Sequence, residues 1–331
     1  MSVNHGPVNC EVDLLNSIPS HQVYIIVLTI SIAARTMESF GVVVVGIGMA
    51  GQIRIRDLRN LPADKPNLQR LKLIGYVSRR KLDLDLLSLT LQEALNRSDV
   101  HVIIICTEAE AHEETIRKSL EAGKHVLVEY PIVMNVTVAK ELYQMASSKG
   151  VVLHEENIGL LSLALLQLKK DLENKPPLQE AQLAHHVSLG RLSENMTKEK
   201  TPFIAHQSMV KAAIFLFENL TAVGGQFTEK DDCFEAIADL RTSEDKKVQM
   251  KLCLFKEKGI WKKEYFLKFN DGSVIDKLPP ELVRKTRSGL GMFMEDLLHF
   301  SEKLLGVRDV HDTEELTIKT IDLIEKVHSY F

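Results

Sequence analysis

Two rhythms of hydrophobic and polar positions divide the chain. Phe40 to Val45 (FGVVVV) is an unbroken β-branched run, the pattern of a strand buried on both faces. IRIRDLRNL then places its apolar positions on one side, which predicts a helix, and Pro62, Pro66 and Asn67 end it. Strand-like runs return at Leu71–Val77, Val100–Cys106, His125–Glu129 and Val151–His154. Between them the spacing predicts helices over Leu89–Leu95, Ala111–Ala122 and up to Lys149. Gly123 and Gly150 stop the last two, and Asn135 is placed to cap the last. Strand–helix alternation of this kind predicts a parallel sheet covered by helices.

After a helical stretch at Leu160–Leu172 and the breaker Lys175-Pro176-Pro177 the rhythm changes. Ala181–Leu189, Ala222–Phe227, Cys233–Leu240, Lys247–Phe255, Trp261–Phe269 and Ser273–Ile275 are β-like runs with short polar or Gly-containing links. One helix, Met209–Asn219, interrupts them, and helices over Leu290–Leu305 and Thr313–Tyr330 close the chain. The succession predicts an α/β protein whose second sheet is open and mostly antiparallel.

Residues 1–36 fit neither rhythm. Val23–Ala34 is apolar over 12 residues, whereas a membrane-spanning helix needs about 20. The stretch before it has no Lys or Arg and carries Glu11 and Asp13, unlike the basic start of a secretory signal. A complete first strand begins directly after Met37-Glu38-Ser39, so the leader is expected to be a non-essential extension ahead of an internal start at Met37. No membrane association is expected. With 41 basic and 45 acidic residues the net charge is −4, which argues against a general nucleic-acid binder. Cys10, Cys106, Cys233 and Cys253 include no CxxC pair. They suggest neither a disulfide framework nor a zinc site, and suit a reducing compartment.

Chemistry concentrates at the ends of the first-half strands. Gly46-Ile47-Gly48-Met49-Ala50-Gly51 is a GxGxxG motif with a strand before it and a helix after it, the context a dinucleotide site requires. The first two glycines permit a tight turn and close approach of a pyrophosphate to the backbone. Gly51 lets the helix pack on the strand, and the helix N-terminus offers N–H groups to phosphate. An NAD site usually has an acid at the end of the second strand. Here Ser78-Arg79-Arg80 stands there, a hydroxyl and two guanidiniums suited to a 2′-phosphate. NADP(H) is therefore expected to bind more tightly than NAD(H). Domains are expected at 37–158 for the cofactor and 159–331 for the substrate.

Gly123 to Pro131, GKHVLVEYP, resembles the AGKHVxxEKP motif of the glucose–fructose oxidoreductase and inositol dehydrogenase family. That resemblance implies a Rossmann domain joined to an α+β domain with an open, mostly antiparallel sheet. The family's motif lysine commonly acts as acid/base, and Tyr130 replaces it here. Tyrosine in this place resembles the biliverdin reductases of the family, as do FGVVVVGIGMAG, RIRDLRN, GYVSRR and KGVVLHEEN. The match is near-continuous from Phe40 to about Leu161 and thin beyond. It implies NADPH-dependent reduction of a tetrapyrrole, biliverdin, to bilirubin in the cytoplasm, by a monomer or homodimer. Two departures stand out. Gly159 replaces an acid of the family's HEEHxELL stretch. Ser208-Met209 stands where the family has Ser-Arg, with Lys211 as the nearest cation. The C-terminal His/Cys pairs the family uses for metal have no counterpart, and no metal is expected.

The strand ends Thr107-Glu108, Glu129-Tyr130 and His154-Glu155-Glu156 point to the carboxyl edge of a parallel sheet, where such folds bind ligands. Tyr130 is the candidate proton donor, or a ring packed beneath the nicotinamide. Glu129 and Glu156 are candidates for catalysis and orientation, or for a structural ion pair and a solvated loop. Thr107 and His112 are candidates to lie beside the cofactor, His112 alternatively as a structural residue. Lys211, Arg191 and Lys198 are candidate partners for substrate propionates, with Glu155 on the substrate side. A sugar or dihydrodiol dehydrogenase, and an NADP-binding scaffold without turnover, remain as alternatives.

Overall fold

The computed structural model describes residues 39–80, 85–188, 202–309 and 311–331. The leader through Thr36, and Arg191 and Lys198, lie outside the described residues. The first sheet holds β1 (Phe40–Val45), β2 (Leu71–Val77), β3 (Leu87–Leu89), β4 (Val102–Ile105), β5 (His125–Val128) and β6 (Leu153–Glu155). All are parallel, in the order β3-β2-β1-β4-β5-β6. The order reverses between β1 and β4, so the loops after these two strands diverge and leave a crevice at the carboxyl edge. Every residue of β1 and β4 is buried, as their unbroken apolar pattern requires.

Around this sheet lie α1 (Met49–Arg59), α2 (Pro66–Gln69), α3 (Leu91–Asn96), α4 (His112–Glu121) and α5 (Val136–Lys149). Leu87–Leu89 forms the edge strand rather than the approach to a helix. It pairs with Gly75–Val77, and Thr90 then caps α3 through a reciprocal box with Glu93. Asn135 Oδ1 accepts from the backbone N–H groups of Thr137 and Val138, capping α5, which ends at left-handed Gly150.

The second half runs α6 (Leu163–Glu173), β7 (Leu178–Ser188), α7 (Gln207–Phe217), β8 (Thr221–Glu229), β9 (Cys233–Arg241), β10 (Lys247–Phe255), β11 (Trp261–Phe269) and β12 (Val274–Ile275). Its sheet has the order β12-β11-β7-β10-β9-β8. It is antiparallel except at its centre, where β7 and β10 run parallel. One face packs on α6 and α7, burying Leu183, Met250, Leu252 and Leu267 against Leu165 and Val210. On the other face Gln182, Asp239 and Phe266 are exposed.

The last two helices, α8 (Met292–Leu304) and α9 (Glu314–His328), bind the halves together. Met294, Leu297, Phe300 and Leu304 of α8 enter the core beside Val42, Val44 and Leu58 of the first sheet's layer. From α9, Ile321 joins the core on the sheet's other side, while Leu323, Ile324 and Val327 join the second sheet's core. Each fully buried aliphatic or aromatic side chain of this kind is worth about 1.5–3 kcal/mol. Among the described residues no helix is long and apolar enough to cross a membrane.

Candidate active site

The turn after β1 is built for close approach. Gly46 has φ +86°, and a Cβ there would lie 2.7 Å from the Cys106 carbonyl oxygen. A Cβ on Gly51 would lie 2.0 Å from the Gly46 carbonyl oxygen, so only glycine lets α1 start this close to the strand. Gly48 has nothing within 4 Å of its Cβ position. It opens α1 without a side-chain cap, which leaves the helix's first N–H groups for a ligand. Ile47 turns into the core, while Met49 is 83% exposed on the rim and Ala50 is half-buried.

Gly46, Ile47 and Gly48 border a cleft of about 750 Å³ that also takes in Val77, Ser78, Arg79, Arg80, Thr107 and Glu108. Ser78 Oγ accepts from the Arg80 backbone N–H, and Arg79 reaches Glu108 at 3.3 Å. The Arg79 side chain is 90% exposed. That pair is therefore weak, and both guanidiniums remain available at the rim. Thr107 Oγ1 is buried without a partner among the described residues. The free helix start, the orphaned hydroxyl and the rim guanidiniums fit a dinucleotide with a 2′-phosphate. His112 instead ties the walls together. Its Nδ1 lies 2.7 Å from the Pro131 carbonyl oxygen and its Nε2 lies 3.0 Å from that of Thr107.

Behind the cleft lies a buried charge network. Arg54 of α1 is 0% exposed. It donates to Glu129 (2.9 Å), to Asp296 of α8 (2.7 Å) and to the Phe293 carbonyl oxygen (3.0 Å). His154 Nε2 pairs with the other Asp296 oxygen at 3.0 Å, and the Asn157 backbone N–H donates to that oxygen at 3.3 Å. Burial alone would raise the Asp296 pKa, but Arg54 and His154 hold it below the usual carboxylate range. A second group joins Glu155, Lys211 and Thr317. Glu155 accepts from the Ile132 N–H, the Thr317 hydroxyl and the Lys211 ammonium, each at 2.7 Å.

This arrangement corrects the expectation that Lys211 offers a charge to substrate. Its Nζ also donates to Asn157 Oδ1 (2.8 Å) and to the Glu156 carbonyl oxygen (3.3 Å), so all three hydrogens have acceptors. A propionate would have to displace Glu155, which is itself fully buried. Glu155 likewise braces the interior and does not face substrate.

Tyr130, Glu156, Asn157, Gly159, Leu160 and Ser208 converge on one small pocket beside Lys211. Glu156 is 1% exposed, not a solvated loop acid. Its Oε1 accepts from the Ile158 N–H at 2.7 Å, and its Oε2 has no partner among the described residues. Burial, then the nearby Glu129 and Asp296, raise its pKa well above the carboxylate value. Burial, reinforced by Glu156 and Glu129, raises the Tyr130 phenol, and a hydrogen bond with Ser208 partly opposes this. Burial also raises Glu129, against the pull of Arg54. Tyr130, Glu129 and Glu156 thus do come together. Met209 does not join them, since it is fully buried in the second sheet's core. Gly159 has a local reason: a Cβ there would lie 3.1 Å from Ser208 Cβ, a tight contact, so a side chain would press the turn after Asn157 against the start of α7.

Sequence reasoning missed Arg54, Asp296, Asn157, Ser208 and Thr317. One signal was present for Arg54. Gly51, Arg54, Ile55 and Leu58 share a helical stripe and all are buried. A guanidinium in an apolar stripe demands a buried partner.

Residues 40–157 match the oxidoreductase family with NAD-binding Rossmann fold (GFO/IDH/MocA). Biliverdin reductase A of Homo sapiens is 33% identical over 315 residues, covering 90% of this chain and 98% of that protein. Biliverdin reductase A of Mus musculus is 36% identical over 284 residues, covering 83% and 89%. Among solved structures, the biliverdin reductase of Synechocystis sp. PCC 6803 in complex with biliverdin and NADP+ shares the fold, with a TM-score of 0.70 at 18% identity. That alignment covers 88% of this chain and 98% of that one. The protein is an NAD(P)-dependent oxidoreductase, and the chain belongs to the biliverdin reductase A family within the GFO/IDH/MocA oxidoreductases.

Proposed function

We propose that the protein reduces the central methine bridge of biliverdin, giving bilirubin, and that it works in the cytoplasm. One observation carries the reading. The acidic groups at the site, Tyr130 and Glu156, are both shifted toward holding their protons at neutral pH. Lys211, the cation beside them, is bound on all three hydrogens. Such a site donates protons. It is ill suited to removing one from an alcohol, as a sugar dehydrogenase must.

Gly46–Gly51, Ser78, Arg79, Arg80 and Thr107 would hold NADPH, which when bound would supply the hydride to the methine carbon. The chain's own residues then have two tasks. They present a proton to a pyrrole nitrogen that becomes more basic as the carbon is reduced, and they keep water away. The free Oε2 of Glu156 is the proton-bearing oxygen in this reading. Its O–H bond breaks as the N–H bond forms, and solvent restores the proton afterwards. A carboxylic acid whose proton is held more tightly than usual by burial still releases it more readily than a phenol, itself raised by burial. The Tyr130 hydroxyl, on Ser208, positions the ring system beside that oxygen.

The test is purified protein with NADPH and biliverdin, read by the growth of bilirubin absorption. Glu156→Gln should lower turnover by about 10²–10⁴, the range for a positioned acid, with NADPH affinity unchanged. Tyr130→Phe should cost less. A silent Glu156→Gln beside a Tyr130→Phe loss of about 10²–10⁴ would return the donor role to the phenol. Tight NADPH binding with no bilirubin formed would sink the reductase reading in favour of a scaffold. NADP+ reduction by a sugar alcohol would sink it in favour of a dehydrogenase.

A further inference from the structure

We propose that Lys263, Gln207, His185 and His206 form a carboxylate-binding subsite for an acidic side arm of the substrate, at the end of the second sheet nearest Glu156. Lys263 of β11 stands directly opposite His185 of β7 in the antiparallel register, so the two side chains leave the same face of the sheet. That face is the one turned toward α7, because Leu183 and Tyr265, two residues along on each strand, lie in the core beneath it. His206 and Gln207 open α7, and the next residue, Ser208, is the one bonded to Tyr130. The Lys263 charge acts on both histidines, and the Glu156 carboxyl acts on Lys263. The group therefore lies beside the reaction pocket.

Its polar atoms are left over. His185 Nε2, His206 Nε2, Gln207 Nε2 and Gln207 Oε1 are buried, with no hydrogen-bond partner among the described residues. His185 and Gln207 are 2% and 0% exposed. Buried polar atoms normally find a partner, and orphans on three neighbouring residues, three of the four atoms able to donate, indicate that something else supplies it. Burial, then Lys263, depress both histidines, His206 to about 4, so at neutral pH each imidazole is neutral and offers a single N–H. The Lys263 ammonium and the two imidazoles lie within electrostatic reach of one another, and the Gln207 amide and the start of an 11-residue helix follow His206 directly in the chain. Their common complement is a compact anion with several lone pairs, and a carboxylate has that form. Trp261, on the same face two residues before Lys263, is 60% exposed, and the Lys263 Nζ sits 5.7 Å from its ring centre. It supplies an apolar flank for the chain that carries the acid. Lys263 thus takes the task that Lys211, tied to Glu155, does not perform.

Only the identity of the molecule bearing the carboxylate rests on the reductase reading, and two arms of one experiment keep the questions apart. In the first, sodium propionate is titrated into the full chain with NADP+ bound. Nuclear magnetic resonance follows the indole N–H, which belongs to the chain's one tryptophan, and the histidine ring signals. Propionate should shift the indole signal and two histidines. Lys263→Met and, separately, Gln207→Leu should weaken that response about tenfold or more, as loss of a charge-assisted contact does. No response in the unaltered protein, or an equal response in both variants, overturns the subsite whatever the substrate is. In the second arm, biliverdin is compared with its dimethyl ester. Lys263→Met should raise KM for the free acid about 10- to 100-fold and leave KM for the ester in place. Equal changes for both would overturn the assignment. Failure of the unaltered protein to reduce biliverdin would instead strike the reductase reading and leave the propionate result standing.

Discussion

Around Gly46 and Gly48 the chain presents bare backbone to solvent, with Arg79 and Arg80 exposed on the rim. A few residues further along the same α1, Arg54 has no exposure and sits between two carboxylates, one of them 242 residues away. The first region is assembled from the loops that follow β1, β2 and β4, and its side chains are free to meet a ligand. The second is assembled from distant segments, and its charges are consumed by one another. A binding site can afford exposed charge, because the ligand brings the partner. A buried framework cannot, and each of its charges depends on all the others.

That contrast predicts different consequences for charge removal. Arg54→Met should be the most damaging change, because it leaves Asp296 and Glu129 buried without their cation. About 3–5 kcal/mol of folding stability should be lost, read from the denaturant midpoint. Arg54→Met combined with Asp296→Asn should cost less than the sum of the two single changes. Strict additivity would show that the network is not coupled.

Acid should separate the regions next. His125, at the amino edge of the first sheet, is held down to about 4 by burial and by nearby His101. Its folded form stays neutral where the unfolded chain takes up a proton. Its contribution is intact above pH 6.5 and is lost progressively as pH falls from there through about 4. For a shift of this size the loss is about 3 kcal/mol. His125→Asn, which keeps an acceptor for the Val152 N–H, should flatten that part of the stability–pH curve. A variant that tracks the original protein across this window would refute the assignment.

The smallest effect on folding stability belongs to the rim. Arg79→Ala with Arg80→Ala should weaken NADPH binding by about 1.5–3 kcal/mol per lost phosphate contact, leave NADH nearly unchanged and move folding stability by less than about 0.5 kcal/mol. Equal weakening of both cofactors would place the discrimination elsewhere.

The same contrast explains what could be read in advance. Gly46–Gly51 and Ser78–Arg80 were legible because their chemistry is local: a strand, a turn, a helix start and the next strand end lie within one stretch of chain. The β runs of the second half were legible for the same reason, and Lys247–Phe255 and Trp261–Phe269 form strands at those bounds. The parallel pairing of β7 with β10 was not, since a strand's own residues do not record which neighbour it will meet. Lys211 reads as a substrate contact in the sequence, which shows a cation and not its partners. Glu155, Glu156 and Asn157 come to it from another segment, and Thr317, from a third, donates to Glu155. Arg54 was hidden inside an ordinary amphipathic repeat.

The span from Arg54 to Asp296 also bears on how the protein is made. The six strands of the first sheet are all synthesised by Glu155, yet 142 residues separate His154 from the aspartate it pairs with. At about 5–20 residues per second on the ribosome, Arg54 waits on the order of tens of seconds for Asp296 to emerge. Throughout that interval the nascent first half carries a guanidinium with an unmet carboxylate partner and an apolar face awaiting α8. The packing of the cofactor-binding half is therefore complete only once α8 has been made.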